Sequence, residues 1–303
     1  MDERISNFGQ VATLRRYTVT EGREKGLDVI DCDNGCLRFL LNVNKACDIM
    51  QLYHKGQNMT FVSKNGFMQK DLPFGNRFEG GMLYTCGLES VGDREGFEPH
   101  GTIHTTPAQI TRAECTEAGI VVEAVIRATE MGGKNLALKR KITSAVLSDS
   151  VSVEDTLVNE SFLDAQYCLL YHVNLGYPML DEGCKVVADV EKCEPRTPWA
   201  AENMDTVYDI SAPQPVMEET CHFLTLKKPE ASLVNEKLGK KFTVSYSGDT
   251  LPRFVEWKNM VSGDYALGLE PCTTQLDEGR FAYSDIKAGE RIDFKVKLTV
   301  SEL

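Results

Sequence analysis

The 303-residue sequence has no apolar run approaching the roughly 20 residues of a membrane helix, and its start, MDERISNFGQ, lacks the basic and apolar regions of a secretory signal. The first absence excludes a chain that crosses membranes by helices. The second predicts that it stays in the cytoplasm, where its ten cysteines read as reduced and mostly buried thiols. None of them forms a CxxC pair, and Cys32 with Cys36 is the only close couple, so neither a zinc site nor a dithiol redox motif is signalled. A phosphate-binding GxxxxGK[ST] loop is missing, as is a GxGxxG turn opening a helix after a strand. Basic stripes are missing too: the formal net charge is −12, and Lys and Arg are scattered, as in Leu138-Lys139-Arg140-Lys141. Such a chain repels a phosphate backbone, which excludes nucleic acid as a partner.

No window combines helical periodicity with capping residues. What is present instead is period-two alternation, clearest where Ile292, Phe294, Val296, Leu298 and Val300 share one face of an extended segment. Similar runs cover residues 37–43, 120–126, 136–142, 151–157, 165–171, 242–246 and 265–269, divided by Gly, Asp, Asn and Pro. Many strands without intervening helices imply antiparallel sheets, so the fold class is all-β, a large sandwich. The proline-rich stretch from Glu194 to Pro215 also holds Trp199 and Tyr208, which fits a packed loop better than a linker, and residues 1–303 are read as a single domain.

Three segments carry chemistry-bearing residues. Between Phe74 and Pro107 lie seven glycines together with Arg77, His100 and His104, a composition for loops shaped around a ligand or for a long connection between strands. In Leu170-Tyr171-His172-Val173-Asn174-Leu175-Gly176-Tyr177-Pro178, alternation turns His172 and Asn174 to one side of a strand end. Leu267-Gly268-Leu269-Glu270-Pro271 closes an apolar strand with a carboxylate, costly to bury without partners and useful with them. Taken singly, each is equally compatible with a structural role.

Taken in chain order, NRFEGGMLYTCGL, PHG, YHxNxGYP and LGLEP resemble the galactose mutarotase-like, or aldose 1-epimerase-like, superfamily, and in particular an uncharacterised bacterial branch known only as a domain of unknown function. The resemblance implies a largely antiparallel β-supersandwich with a concave sugar site and no metal or organic cofactor. It implies that His172 is the general acid and Glu270 the general base, and that Arg77 and His100 hold sugar hydroxyls. Asn174 and His104 are further candidates for substrate binding. The superfamily's substrate-binding aspartate has no clear counterpart, and Glu219 or His222 occupies its region. The implied partner is a small-molecule carbohydrate, and monomer and homodimer both remain open.

Opening a cyclic hemiacetal needs a base for the anomeric hydroxyl proton and an acid for the ring oxygen. Ordinary values of about 4.3 for Glu and about 6.5 for His leave the carboxylate ionised and part of the imidazole protonated at neutral pH. Each positioned group contributes about 10²- to 10⁴-fold in rate. Anomer exchange is therefore the expected function. The alternatives are another carbohydrate isomerase, epimerase or lyase on the same fold, including one in which His100, His104, His172 and Glu270 bind a divalent metal, or a sugar-binding protein without catalysis. Trp199, Trp257, Tyr171 and Tyr177 are candidates to stack on a sugar ring or to pack within the protein, and His54 has no chemical context.

Overall fold

Alternation along the last 12-residue strand, Arg291–Glu302, turns Phe294, Val296, Leu298 and Val300 inward and leaves Lys295 and Lys297 outside, as the sequence predicts. The computed structural model describes residues 3–70, 72–277 and 279–303, with 51% of residues in strands and 5% in helix. Five strands form an antiparallel meander: β1 (Thr13–Thr18), β2 (Asp28–Asp33), β3 (Leu37–Asn42), β4 (Asp48–His54) and β5 (Gln57–Asn58). A thirteen-stranded sheet holds the rest: β6 (Tyr84–Leu88), β7 (Gln109–Thr116), β8 (Gly119–Thr129), β9 (Asn135–Ser144), β10 (Ser150–Asn159), β11 (Ala165–Leu175), β12 (Lys185–Pro195), β13 (Thr220–Asn235), β14 (Lys240–Tyr246), β15 (Arg253–Asn259), β16 (Ala266–Cys272), β17 (Ser284–Ile286) and β18 (Arg291–Glu302). Its main path runs β17-β11-β16-β15-β13-β14-β18-β10-β9-β8-β7, with β12 paired to β13 and β6 to β11, and every strand pairing is antiparallel.

The main core brings Ile30, Phe39 and Leu52 of the small sheet together with Val122, Leu138, Val153 and Val296 of the large one, the arrangement of a sandwich. The proline-rich stretch carries the short helix α2 (Pro198–Glu202), capped by Thr197, whose hydroxyl accepts from the Ala200 N–H, and a 3₁₀ turn at Met204–Thr206, with Ala200, Val207 and Ile210 buried. The other helix, α1 (Phe74–Arg77), is a single turn inside the glycine-rich segment. No described helix is long and apolar enough to cross a membrane. All ten cysteines are free thiols, seven of them buried.

A buried ionic network ties the two sheets together. Arg140 on β9 donates from Nε to Asp155 Oδ1 at 2.9 Å, from Nη2 to Asp155 Oδ2 at 2.7 Å, and from Nη1 to Asp48 of β4 and the Ala46 carbonyl. The Tyr171 hydroxyl donates to Asp155 at 2.8 Å. Burial alone would push the Asp48 carboxyl up, but the Arg140 guanidinium and His104 outweigh it and hold Asp48 below the usual carboxylate range.

Candidate functional site

Strands β11 and β16 place the two residues that the sequence singles out face to face. They pair with one register, Leu170 opposite Cys272 and Val173 opposite Leu269, so His172 lies directly across from Glu270. Both side chains are buried, and His172 Nε2 stands 3.2 Å from Glu270 Oε1. Gly268, two residues before Glu270 on the same face, makes this possible. A Cβ there would lie 3.2 Å from the Glu270 carboxyl carbon and 3.1 Å from His172 Cε1, so only glycine leaves the carboxylate its place.

The pair lines a cavity of about 230 Å³ whose walls come from several elements. Trp257 enters from β15, Glu219 from just before β13, Arg196 from just after β12, Phe74 from α1, and Asp93 and His100 from the β6–β7 connection. The Trp257 indole lies edge-on to His172 with centroids 5.5 Å apart, and its Nε1 donates to Glu219 Oε2 at 2.8 Å. Arg196 donates from Nε to Asp277 Oδ1 at 2.9 Å, a bond that anchors the guanidinium at the cavity wall. His100 adopts a left-handed backbone conformation, φ 63°, which Gly101 beside it shares. Its Nδ1 accepts from the Gly92 N–H at 3.3 Å, so the proton of the neutral ring sits on Nε2.

The electrostatics differ from what ordinary pKa values suggest. Burial pushes the Glu270 carboxyl well above the usual carboxylate range, with the neighbouring Glu219 adding to the effect and Arg196 opposing it. Burial likewise pushes His172 well below its ordinary value, with His100 adding to it. Both shifts act in one sense, favouring the uncharged form of each group. His100 is pushed down to about 4, chiefly by burial and then by Arg196, and is a neutral hydrogen-bond donor.

Of the residues proposed from sequence, His172, Glu270, His100 and Glu219 come together here. Four do not line the cavity. Arg77 is buried beside Glu98, with Nη2 to Oε1 at 2.5 Å, and faces a separate small pocket next to Lys45. His104 stacks on Tyr84 at 3.5 Å and sits between Asp48, at 2.7 Å, and Glu79, at 3.4 Å. Asn174 donates to the backbone oxygens of Gly81 and His172, at 3.0 and 3.1 Å. His222 opposes Glu256 on the sheet face away from Trp257 and contacts the Ala200 carbonyl at 3.4 Å. Since His104 is directed elsewhere, the four groups considered for a metal do not converge. Of the aromatic candidates only Trp257 lines the cavity: Tyr171 belongs to the buried network, Tyr177 is exposed, and Trp199 donates to the Glu218 carbonyl.

Sequence reasoning missed Arg196. The one signal was its position between Pro195 and Pro198 at a strand end, where a fixed backbone aims a side chain. Among the described residues Cys36, His54 and Asp149 form a possible metal-ligand group, all within 4.8 Å. The fit is poor. Lys240 donates to His54 Nδ1 at 2.9 Å, which puts the ring proton on Nε2, the nitrogen facing Asp149 at 3.1 Å, and leaves no lone pair for an ion.

Residues 24–300 match the family described as a domain of unknown function, DUF4432. The chain belongs to the DUF4432 family. No curated protein matches it. Among solved structures this DUF4432 chain is similar to a "putative aldose 1-epimerase" from Klebsiella pneumoniae, with a TM-score of 0.83 at 18% identity over 95% of this chain and 83% of that one. It is also similar to a galactose mutarotase-like protein from Clostridium acetobutylicum, with a TM-score of 0.72 at 15% identity over 97% of this chain and all of the other. The fold is the galactose mutarotase-like β-supersandwich.

Proposed function

We propose that this DUF4432 protein interconverts the anomers of a free aldose by general acid–base catalysis. Glu270 and His172 move the protons, while Arg196, His100 and Glu219 hold hydroxyls. The observation that carries the reading is the buried Glu270–His172 pair, whose Oε1 and Nε2 stand 3.2 Å apart on the cavity wall. Binding alone needs no such pair. A cavity of about 230 Å³ lies just below the roughly 300–1,000 Å³ of common ligand sites, a size for one sugar ring.

Sugar hydroxyls and the Arg196 guanidinium would stabilise the Glu270 carboxylate, whose Oε1 has no hydrogen-bond partner among the described residues, and the carboxyl proton would cross to His172. Glu270 then takes the anomeric hydroxyl proton as the bond from C1 to the ring oxygen breaks and His172 protonates that oxygen, giving the open-chain aldehyde. After rotation about C1–C2 the same two groups reverse their roles and close the other anomer. No covalent intermediate and no net change in protons is involved.

Exchange between anomeric NMR signals over a panel of hexoses, pentoses, deoxy and acidic sugars tests the proposal. Glu270→Gln keeps the shape and removes the base, so the rate falls at least about 10²-fold with sugar binding retained. A Glu270→Gln protein that exchanges a bound sugar at the native rate refutes the mechanism.

A further inference from the structure

The sugar cavity has a neighbour on the protein surface. Phe74 and Trp257, two of its walls, are also walls of an adjoining groove of about 300 Å³ that has its own polar groups. Phe78 lines this groove and also packs against His172, with centroids 5.8 Å apart. Asn65 spends its amide hydrogens on the Gly75 and Phe78 carbonyls, which leaves its side-chain oxygen as an acceptor. Asn259 has the opposite polarity: its side-chain oxygen accepts from the Val261 N–H, which leaves its amide hydrogens as donors. At the outer edge Lys64 and Asp264 pair at 2.6 Å and add charged partners of both signs.

Aromatic faces next to a fixed donor, a fixed acceptor and an ion pair match the two-sided chemistry of a sugar ring, apolar on its C–H surface and polar at its hydroxyls. The groove is larger than the cavity it adjoins, and one ring in the cavity leaves it empty. We infer that the groove is a second sugar subsite and that the ligand is a reducing disaccharide, its free anomeric carbon at His172 and Glu270 and its other ring between Trp257, Asn65 and Asn259. This rests on the reading of the cavity as a sugar site.

The test is calorimetric titration of the protein with reducing disaccharides spanning 1→2, 1→3, 1→4 and 1→6 linkages, each beside the monosaccharide of its reducing end. At least one disaccharide binds about tenfold or more tighter than its monosaccharide, the effect of one or two added hydrogen bonds. In Asp264→Asn and Asn259→Ala that ratio falls about tenfold. Equal affinity for both sugars in every pair, or a ratio that neither substitution changes, overturns the second subsite and leaves the first reading standing. Binding of no sugar at all overturns both.

Discussion

Replacing Gly268 by alanine separates the stability of this protein from its proposed chemistry. Gly268 does not use the left-handed backbone region that only glycine tolerates well, so alanine fits the strand conformation. By propensity alone the change would stabilise the strand by about 0.5–1 kcal/mol, because glycine loses more freedom on folding. The added methyl group, however, would lie 3.1 Å from His172 Cε1 and 3.2 Å from the Glu270 carboxyl carbon, and closer still to the carboxylate oxygen. The carboxyl must swing away from His172 by on the order of 1 Å, and a displacement of that size costs about 10²-fold in rate. Thermal unfolding and anomer exchange are measured side by side, with Gly279→Ala, whose Cβ meets nothing within 4 Å, as the control. The cost of crowding a buried carboxyl, about 1–3 kcal/mol, offsets the propensity gain, so Gly268→Ala melts within a few degrees of the native protein and loses about two orders of magnitude in exchange. Exchange within about threefold of the native rate refutes the claim that the opposition of Glu270 and His172 drives the chemistry.

Two further substitutions test the buried charges. Arg140→Met takes from Asp48 and Asp155 the buried cation they share, and urea unfolding should show a loss of about 3–5 kcal/mol. Arg38→Ala, which removes an exposed ion pair with Asp31, should cost less than about 1 kcal/mol, and equal losses would mean that the network is not what joins the sheets. Glu256 is pushed by burial from about 4.5 up to about 7, Lys258 at 3.6 Å only partly opposing it, and neither of its oxygens has a hydrogen-bond partner among the described residues. Because the folded value lies above the unfolded one, the folded state binds more protons between those limits and stability falls as pH rises through them, by up to about 3 kcal/mol. Glu256→Gln should flatten this slope and be more stable than the native protein at pH 8; a slope that persists unchanged assigns the pH dependence to other groups.

The strands were legible because alternation is a short-range signal, and the motif residues His172 and Glu270 sit within such strands. The ionic network was also written there. In Leu136-Ala137-Leu138-Lys139-Arg140-Lys141-Ile142, Arg140 falls on the face of Leu136, Leu138 and Ile142, and Asp155 lies between Val153 and Leu157 on theirs. Counting charges as scattered passed over that phase. The site was harder to read where loops build it. Arg196 and Arg77 look alike in sequence, and which of them reaches the cavity depends on long-range packing: Arg77 is held by Glu98, Arg196 by Asp277. His104 and His222 are buried polar groups with local partners, a fate that a single chain segment does not distinguish from a role in binding.

The facing of His172 and Glu270 across two strands nearly a hundred positions apart limits where this gene can change in length. Side chains alternate with a period of two, so one codon inserted in β11 between Leu170 and His172, or in β16 between Gly268 and Glu270, turns one partner to the opposite face while the ladder on either side still closes. The same insertion in the turn at residues 130–133, or in the loop at residues 161–164, meets open solvent and moves neither strand's phase. Length variation among functional relatives is expected to accumulate in those turns and to be absent from these two strands, whatever sequence divergence they show.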